Sequence, residues 1–284
     1  MNAHGFVSQF EHLIKKGRSL RPGKIIRPAR ARIPASAPKA LIFSPHPDDE
    51  CIVGGLALRL LREARWNVIN VAVTLGSQKS RRAARRRELC DACKSLGFGL
   101  IMHREQGLER ITLKSRKHDR AHWKAAVKII ARILTEQRPR VIFVPHENDW
   151  HPAHVGTHFL VLDALKILPA SFPCHVVETE FWGQMTEPNL LVELGAAEAG
   201  DLVAALACHT GEVRRNAYHA RLPAWLVDNV RRGAELVAGP GGAAPDFVFG
   251  AIYRRRKWSR GRLIPVQSQR RFLSRTMNAG KLFE

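Results

Sequence analysis

The sequence predicts an α/β fold in a single domain, a mostly parallel sheet with helices on both faces, on three observations. Short apolar, β-branched runs alternate with segments of helical periodicity between residues 39 and 182. The 284-residue length suits one large domain, because α/β folds often pass two hundred residues without splitting. Two of the apolar runs, Ala40-Leu41-Ile42-Phe43 and Val141-Ile142-Phe143-Val144, end directly in polar clusters. Parallel strands of an open sheet deliver such ends to one crevice.

Taken in order, residues 1 to about 37 are basic and proline-rich with weak periodicity, and read as an arm outside the core. A first strand covers Lys39 to Phe43. A helix from Glu50 to Arg65 follows from the spacing of Ile52, Leu56, Leu58, Leu60 and Leu61, with Asp48 and Asp49 at its positive N-terminus. A strand at Val68 to Leu75 leads to a basic helix at about Ser80 to Ser95 that Gly97 closes, then to a short strand at Gly99 to His103. The amphipathic stretch Ala121 to Gln137 predicts a long helix before the strand Arg140 to Val144. A helix at Val155 to Leu168 and a strand at His175 to Trp182 complete the alternation. Helices at about Ala197 to Cys208 and Ala224 to Val237, a Gly239–Gly242 loop and a strand at Phe247 to Tyr253 are expected beyond it. The division is thus a basic N-terminal arm over 1–37, the α/β domain over 38–253, and an irregular basic tail over 254–284.

The formal charge of +21 raises the local concentration of anionic partners without choosing among nucleic acid, anionic lipid and an anionic substrate. The basic residues gather in the N-terminal segment (Lys15 to Arg32), in Lys79 to Arg87 and in Arg254 to Arg275. They read equally as solvated arms or as a docking surface. No apolar run approaches the ~20 residues of a membrane span, and an apolar signal core is lacking at the N-terminus. The expected location is the cytoplasm. Five cysteines do not make a disulfide framework at this length, and Cys90-x-x-Cys93 reads as a pair of ordinary helix cysteines, since a second such pair is missing.

The chemistry lies in the clusters after the two strands, Ser44-Pro45-His46-Pro47-Asp48-Asp49-Glu50 and Pro145 to His154. A catalytic zinc site takes three ligands from His, Asp and Glu and keeps a fourth position open. His46 and Asp49, three apart at a strand-to-helix turn, can grip one ion, with His154, or less readily His151 or His158, as third ligand. Asp48 is then free to take a proton from the water that such an ion acidifies, and His151 fits the stabilisation of an oxyanion or the protonation of a leaving amine. A single histidine at a strand end is more often structural, but two such clusters have no cheap structural reason to converge.

At these residues the sequence resembles the PIG-L, or LmbE-like, zinc-dependent N-deacetylases. Pro45 to Glu50 matches their (A/P)-H-P-D-D-E signature, and His151-Pro152-Ala153-His154 with Val155-Gly156-Thr157-His158 matches H-P-D-H-x-x-(T/A)-H except at Ala153. Thr74-Leu75-Gly76, Arg85-x-x-Glu88, Glu180-Phe181-Trp182 and Asn229 to Gly233 extend the likeness over about residues 39 to 253. The resemblance implies a Rossmann-like, LmbE-like fold and a zinc ion, or another divalent transition metal, held by His46, Asp49 and His154. It further implies Asp48 as general base, His151 as the assisting imidazole and Arg85 facing the substrate. At the position of Ala153 the family usually carries an aspartate that tunes the histidine corresponding to His151, so Asp149 or Glu147 must substitute or turnover is reduced.

The reading is a metal-dependent hydrolase that removes an N-acetyl, or other N-acyl, group from an amino sugar such as an N-acetylglucosamine glycoconjugate. The sugar is implied by the resemblance alone. The charge adds the expectation of an anionic substrate, nucleotide- or lipid-linked, with peripheral membrane contact. The alternatives are an amidase on a non-sugar amide, such as a thiol conjugate or an antibiotic, and a catalytically weakened protein that binds anions or nucleic acid. The scarcity of aromatic residues among the arginine runs argues against the nucleic-acid reading.

Overall fold

The computed structural model describes residues 1–23, 33–266 and 271–284. Lys24, Arg27, Arg30, Arg32 and Arg270, part of the expected basic arms, lie outside the described residues. In chain order the elements begin with helix α1 (Ala3–Gly17), strand β1 (Lys39–Ser44), helices α2 (Asp49–Ile52) and α3 (Gly55–Glu63) and strand β2 (Asn67–Ala72). Next come α4 (Arg82–Leu96), β3 (Gly99–Met102), α5 (Leu113–His118), α6 (Arg120–Gln137), β4 (Val141–Pro145), α7 (Pro152–Lys166) and β5 (Cys174–Thr179). The last part holds β6 (Leu190–Leu194), α8 (Ala196–Leu206), α9 (Thr210–Arg215), α10 (Tyr218–Ala238), β7 (Phe249–Ser259), β8 (Arg262–Pro265) and β9 (Arg271–Leu273).

The strands form one sheet in the order β3-β2-β1-β4-β5-β7-β6-β9, with β8 added to β7. The first five of these run parallel. The chain builds outward from β1 through β2 and β3, then returns to place β4 on the other side of β1 in the register Ala40↔Val141. That reversal is a topological switch point, and the carboxyl ends of β1 and β4 open a crevice there. Both faces of β1 are buried: Ala40 and Ile42 pack with Leu56, Leu89, Leu202 and Leu222, whereas Leu41 and Phe43 pack with Trp123, Ile130, Leu160 and Leu165. Burial on both sides is why this strand reads as an unbroken apolar run rather than an alternation.

The α/β class and every element expected between residues 39 and 182 are present, with two adjustments. The helix expected over Glu50 to Arg65 is two helices, α2 and α3, divided at Val53 and Gly54. A Cβ on Gly54 would sit 2.2 Å from the Glu50 carbonyl oxygen, so only glycine lets the chain turn there. The helix expected over Val155 to Leu168 starts earlier, at Pro152, a residue suited to a first helical position.

The irregular tail expected from Arg254 onward is corrected. Strand β7 runs on to Ser259, antiparallel to β5, β8 and β9 join the sheet, and Phe283 is buried. The run Arg254-Arg255-Arg256-Lys257 looks solvated because charge is its only visible property. Period-two alternation sends Arg254 and Arg256 to the buried Glu178 carboxylate on β5 and Arg255 over the Phe283 ring. The N-terminal arm likewise contains a helix, α1, where weak periodicity gave only an arm outside the core. Strand β6 was not expected either; its partners β7 and β9 follow it in sequence by more than fifty residues.

One half-buried group in this region weakens the fold in acid. His175 on β5 has its pKa pushed down to about 4, by burial first and then by Arg255, Lys257 and Arg140. Its ring is neutral in the fold and gains a proton more readily when unfolded, at about 6.5. The stability it contributes is therefore full above pH about 6.5 and is lost as pH falls from there toward 4. In a thermal melting series over that window, His175→Phe is expected to lose less of its melting temperature than the natural protein, and equal losses would exclude His175 as the cause.

Candidate metal centre

The turn after β1 is built by backbone strain and buried carboxylates. Asp48 has φ 116° and ψ −29°, a conformation that costs a non-glycine residue on the order of 1–3 kcal/mol. Its N–H donates to Glu50 Oε2 at 3.0 Å, and Glu50 Oε1 accepts from His209 Nε2 at 2.7 Å. Glu50 and His209 are both fully buried, so this pair fixes the turn from below. The consequence is that Asp48 and Asp49, adjacent in sequence, point to different places. Asp48 lines the open cleft beside His46 and His151, while Asp49 turns inward and accepts the His46 N–H at 2.8 Å.

The second cluster comes from the turn into α7. His151 caps the helix, its Nδ1 accepting from the Ala153 N–H at 3.3 Å, and one helical turn brings His154 across to Asp49. Asp49 Oδ2 lies 3.7 Å from His46 Nδ1, and Asp49 Oδ1 lies 3.6 Å from His154 Nε2. The ligand nitrogens of His46, His151 and His154 lie within 4.8 Å of one another. Asp49 Oδ1 and His154 Nε2 are both buried and have no hydrogen-bond partner, an arrangement that is costly unless something else binds them. Ligands about 2.0–2.2 Å from a common zinc stand about 3.4 Å apart in a tetrahedron, close to these two separations. The donor set and its two orphaned atoms fit a zinc-like ion. His158 does not join them: its Nδ1 donates to the Pro145 carbonyl at 2.8 Å and its ring faces Glu147 and Glu178.

The acidic residue near Ala153 is Asp149, but its carboxylate meets the ring of His154 and only the backbone of His151. Its Oδ2 sits 3.4 Å from His154 Nδ1, and its Oδ1 accepts the His151 N–H at 2.8 Å. Glu147 is instead engaged by Arg254 at 3.0 Å. An acidic partner on the far nitrogen of a ligating histidine fixes its tautomer and raises its basicity. Asp149→Asn is expected to weaken zinc binding roughly 10–100-fold, read by competition with a chromogenic chelator; an unchanged affinity would remove Asp149 from the metal centre.

Electrostatics separate the groups further. Burial, then the neighbouring Asp49 charge, hold the Asp48 carboxyl well above its ordinary range despite the opposing Arg85 guanidinium. Burial alone would raise Asp49 too, but His154 and His46 bring it below that range. His151 is pushed down to about 4 by burial and then by the charges of His46 and His154, and its ring lies against Trp182 at 5.9 Å. Arg85 stands on the cleft wall, where its Nη2 donates to the Pro47 carbonyl at 3.3 Å. Gly76 has φ 87°, a left-handed backbone that explains the glycine in Thr74-Leu75-Gly76.

These groups open into a cleft of about 840 Å³, the size of a small-molecule site. Its far wall holds residues that sequence reasoning missed, Glu212 and Tyr218. The segment from α8 to α10 offers no strand end to flag them; a lone His209-x-x-Glu212 spacing was the sole signal.

Residues 41–165 match the model of the PIG-L family, described as GlcNAc-PI de-N-acetylase. A 1D-myo-inositol 2-acetamido-2-deoxy-alpha-D-glucopyranoside deacetylase of Thermomonospora curvata is 29% identical over 166 residues, covering 48% of this chain and 54% of that one. The chain thus spans little more than half the length of this curated relative. Among solved structures, the N,N'-diacetylchitobiose deacetylase of Pyrococcus horikoshii superposes with a TM-score of 0.53 at 17% identity, over 90% of this chain and 93% of that one. A 4-carboxy-2-hydroxymuconate hydratase of Pseudomonas putida does so with a TM-score of 0.54 at 17% identity, over 77% and 95%. A fold shared by deacetylases and a hydratase does not itself choose the reaction. The signature residues from Pro45 to Glu50 and from His151 to His158 fall inside the stretch that matches the PIG-L family model.

Proposed function

We propose that the protein is a zinc-dependent N-deacetylase acting on an acetamido sugar that carries negative charge. One observation carries the reading: the buried Asp49 Oδ1 and His154 Nε2, neither of them hydrogen-bonded, face each other at 3.6 Å beside a cleft that Asp48 lines. His46, Asp49 and His154 would hold the ion, which when bound polarises an amide carbonyl and makes water a stronger acid. Asp48 takes the proton of the attacking water and returns it to the leaving nitrogen, and its raised pKa suits a group that must hold a proton between those steps. His151 stays neutral down to a pH of about 4, so it donates a hydrogen bond to the developing oxyanion without bringing a charge that would repel the metal.

The relatives' names support an amino-sugar substrate, an inositol glycoside in one case and diacetylchitobiose in another. Charge supports the anionic part. The cleft is lined by six cations, Lys79, Arg81, Arg82, Arg85, Arg110 and Arg215, against three carboxylates, Asp48, Glu109 and Glu212, a net of three positive charges. The test is turnover of a panel of N-acyl compounds with zinc supplied, pairing neutral and phosphorylated forms of one acetamido sugar with non-sugar amides. Preference for the phosphorylated sugar that weakens as salt rises supports the reading. Equal turnover of both forms at every salt concentration removes the anionic substrate, and hydrolysis of non-sugar amides alone removes the sugar.

A further inference from the structure

We propose that α1 is an interfacial helix that docks the protein on an anionic lipid surface. Ala3, Phe6, Val7, Phe10, Leu13 and Ile14 recur at the spacing that makes one apolar stripe on a helix. Among the described residues nothing buries that stripe: α1 has no buried residue, Ile14 is half-buried, and Phe6, Val7, Phe10 and Leu13 are 58%, 62%, 46% and 63% exposed. Among the described residues, six of the twelve exposed large hydrophobic side chains lie between Met1 and Leu20. Such a concentration marks a site of interaction rather than ordinary surface.

Charge selects the occupant. Glu11 is the sole acid before Asp48, and it pairs with Lys15. Lys16, Arg18 and Arg21 follow, and Lys24, Arg27, Arg30 and Arg32 extend the basic sequence. A nucleic acid would satisfy the cations and leave two phenylalanines in water. A second copy would cover the apolar stripe but bring two basic segments together. An anionic bilayer interface accepts both features at once, apolar side chains into the acyl boundary and cations toward the headgroups. At 15 residues the helix is about 22 Å long, too short to cross a hydrocarbon core of about 30 Å, so it lies in the surface plane.

The helix is also tied to the cleft. The Leu20 carbonyl accepts from His219 Nε2 at 3.0 Å, and the Gly23 N–H donates to the Ala207 carbonyl at 2.9 Å. His219 follows Tyr218, which lines the cleft. A surface that holds α1 thereby holds the cleft close to lipid-borne substrates. Helix α1 docks whether or not the cleft carries out the proposed reaction.

The test is co-sedimentation of the full chain with vesicles of phosphatidylcholine alone or mixed with phosphatidylglycerol. The natural protein is expected to sediment with the mixed vesicles and to be released as salt rises. Phe6→Glu with Phe10→Glu is expected to lower partitioning on the order of a hundredfold. Lys16→Ser with Arg18→Ser is expected to lower it about tenfold on mixed vesicles, with little change on neutral ones. Because α1 has no buried residue, all variants are expected to melt with the natural protein, and Leu13→Gln gives a milder probe of the same stripe. The proposal is overturned if the natural protein stays in the supernatant with both vesicle types, or if the double phenylalanine variant sediments like it. A lipid-independent dimer lost in that same variant would assign the stripe to a second copy and also overturn it.

Discussion

Replacing Asp48 by asparagine is expected to reduce deacetylation by about 10²–10⁴-fold, the usual worth of a positioned general base, while leaving bound metal unchanged. The substitution is clean for three reasons. Asparagine tolerates positive φ better than most residues, so the 116° backbone of position 48 survives. The Asp48 N–H, which Glu50 grips at 3.0 Å, is retained. Burial and the Asp49 charge already disfavour an ionised Asp48, so a neutral side chain there is expected to melt no lower than the natural protein at pH 7. Metal analysis beside a rate on an acetamido sugar checks this; full activity in Asp48→Asn would end its role as base.

Replacing His154 by alanine is expected to have the largest effect of any single change. Metal affinity should fall by more than the roughly 10–100-fold assigned to a hydrogen-bonding neighbour of a ligand. Activity should disappear with it. The metal-free variant should also be destabilised, on the order of 3 kcal/mol, because the buried Asp49 and Asp149 carboxylates lose the imidazole between them. The same geometry fixes a pH dependence. Burial opposes charge on His154, but Asp49 and then Asp149 outweigh it and raise the imidazole above its usual 6.5. A metal must displace that proton, so zinc affinity is expected to climb with pH through and beyond 6.5. Chelator competition at several pH values measures the slope. A flat profile, or stoichiometric zinc in His154→Ala, would show that the ion is held elsewhere.

The sequence by itself determined the α/β class, the two strands that carry the clusters, and the candidate residues His46, Asp48, Asp49, His151 and His154. All of this is local information: β-branched runs buried on both faces, a helical period, and polar clusters directly after strands. It could not decide between Asp149 and Glu147 as the acidic partner near Ala153, because both sit in the same loop. Only packing sends Glu147 to Arg254 and Asp149 to His154.

Tertiary structure also decided what charge means in each basic run. Arg254 and Arg256 look like tail residues until β7 pairs with β5 and sets them over Glu178. Lys16 and Arg18, equally basic, make no such contact among the described residues and adjoin an uncovered apolar stripe. Glu212 and Tyr218 join the cleft through contacts more than a hundred positions long, as with Arg81 to Glu212. The physical reason is the same throughout. Periodicity reports which face of an element is apolar, whereas ion pairs, orphaned buried atoms and cleft walls depend on which distant strand or helix arrives opposite, and that is settled only when the sheet closes.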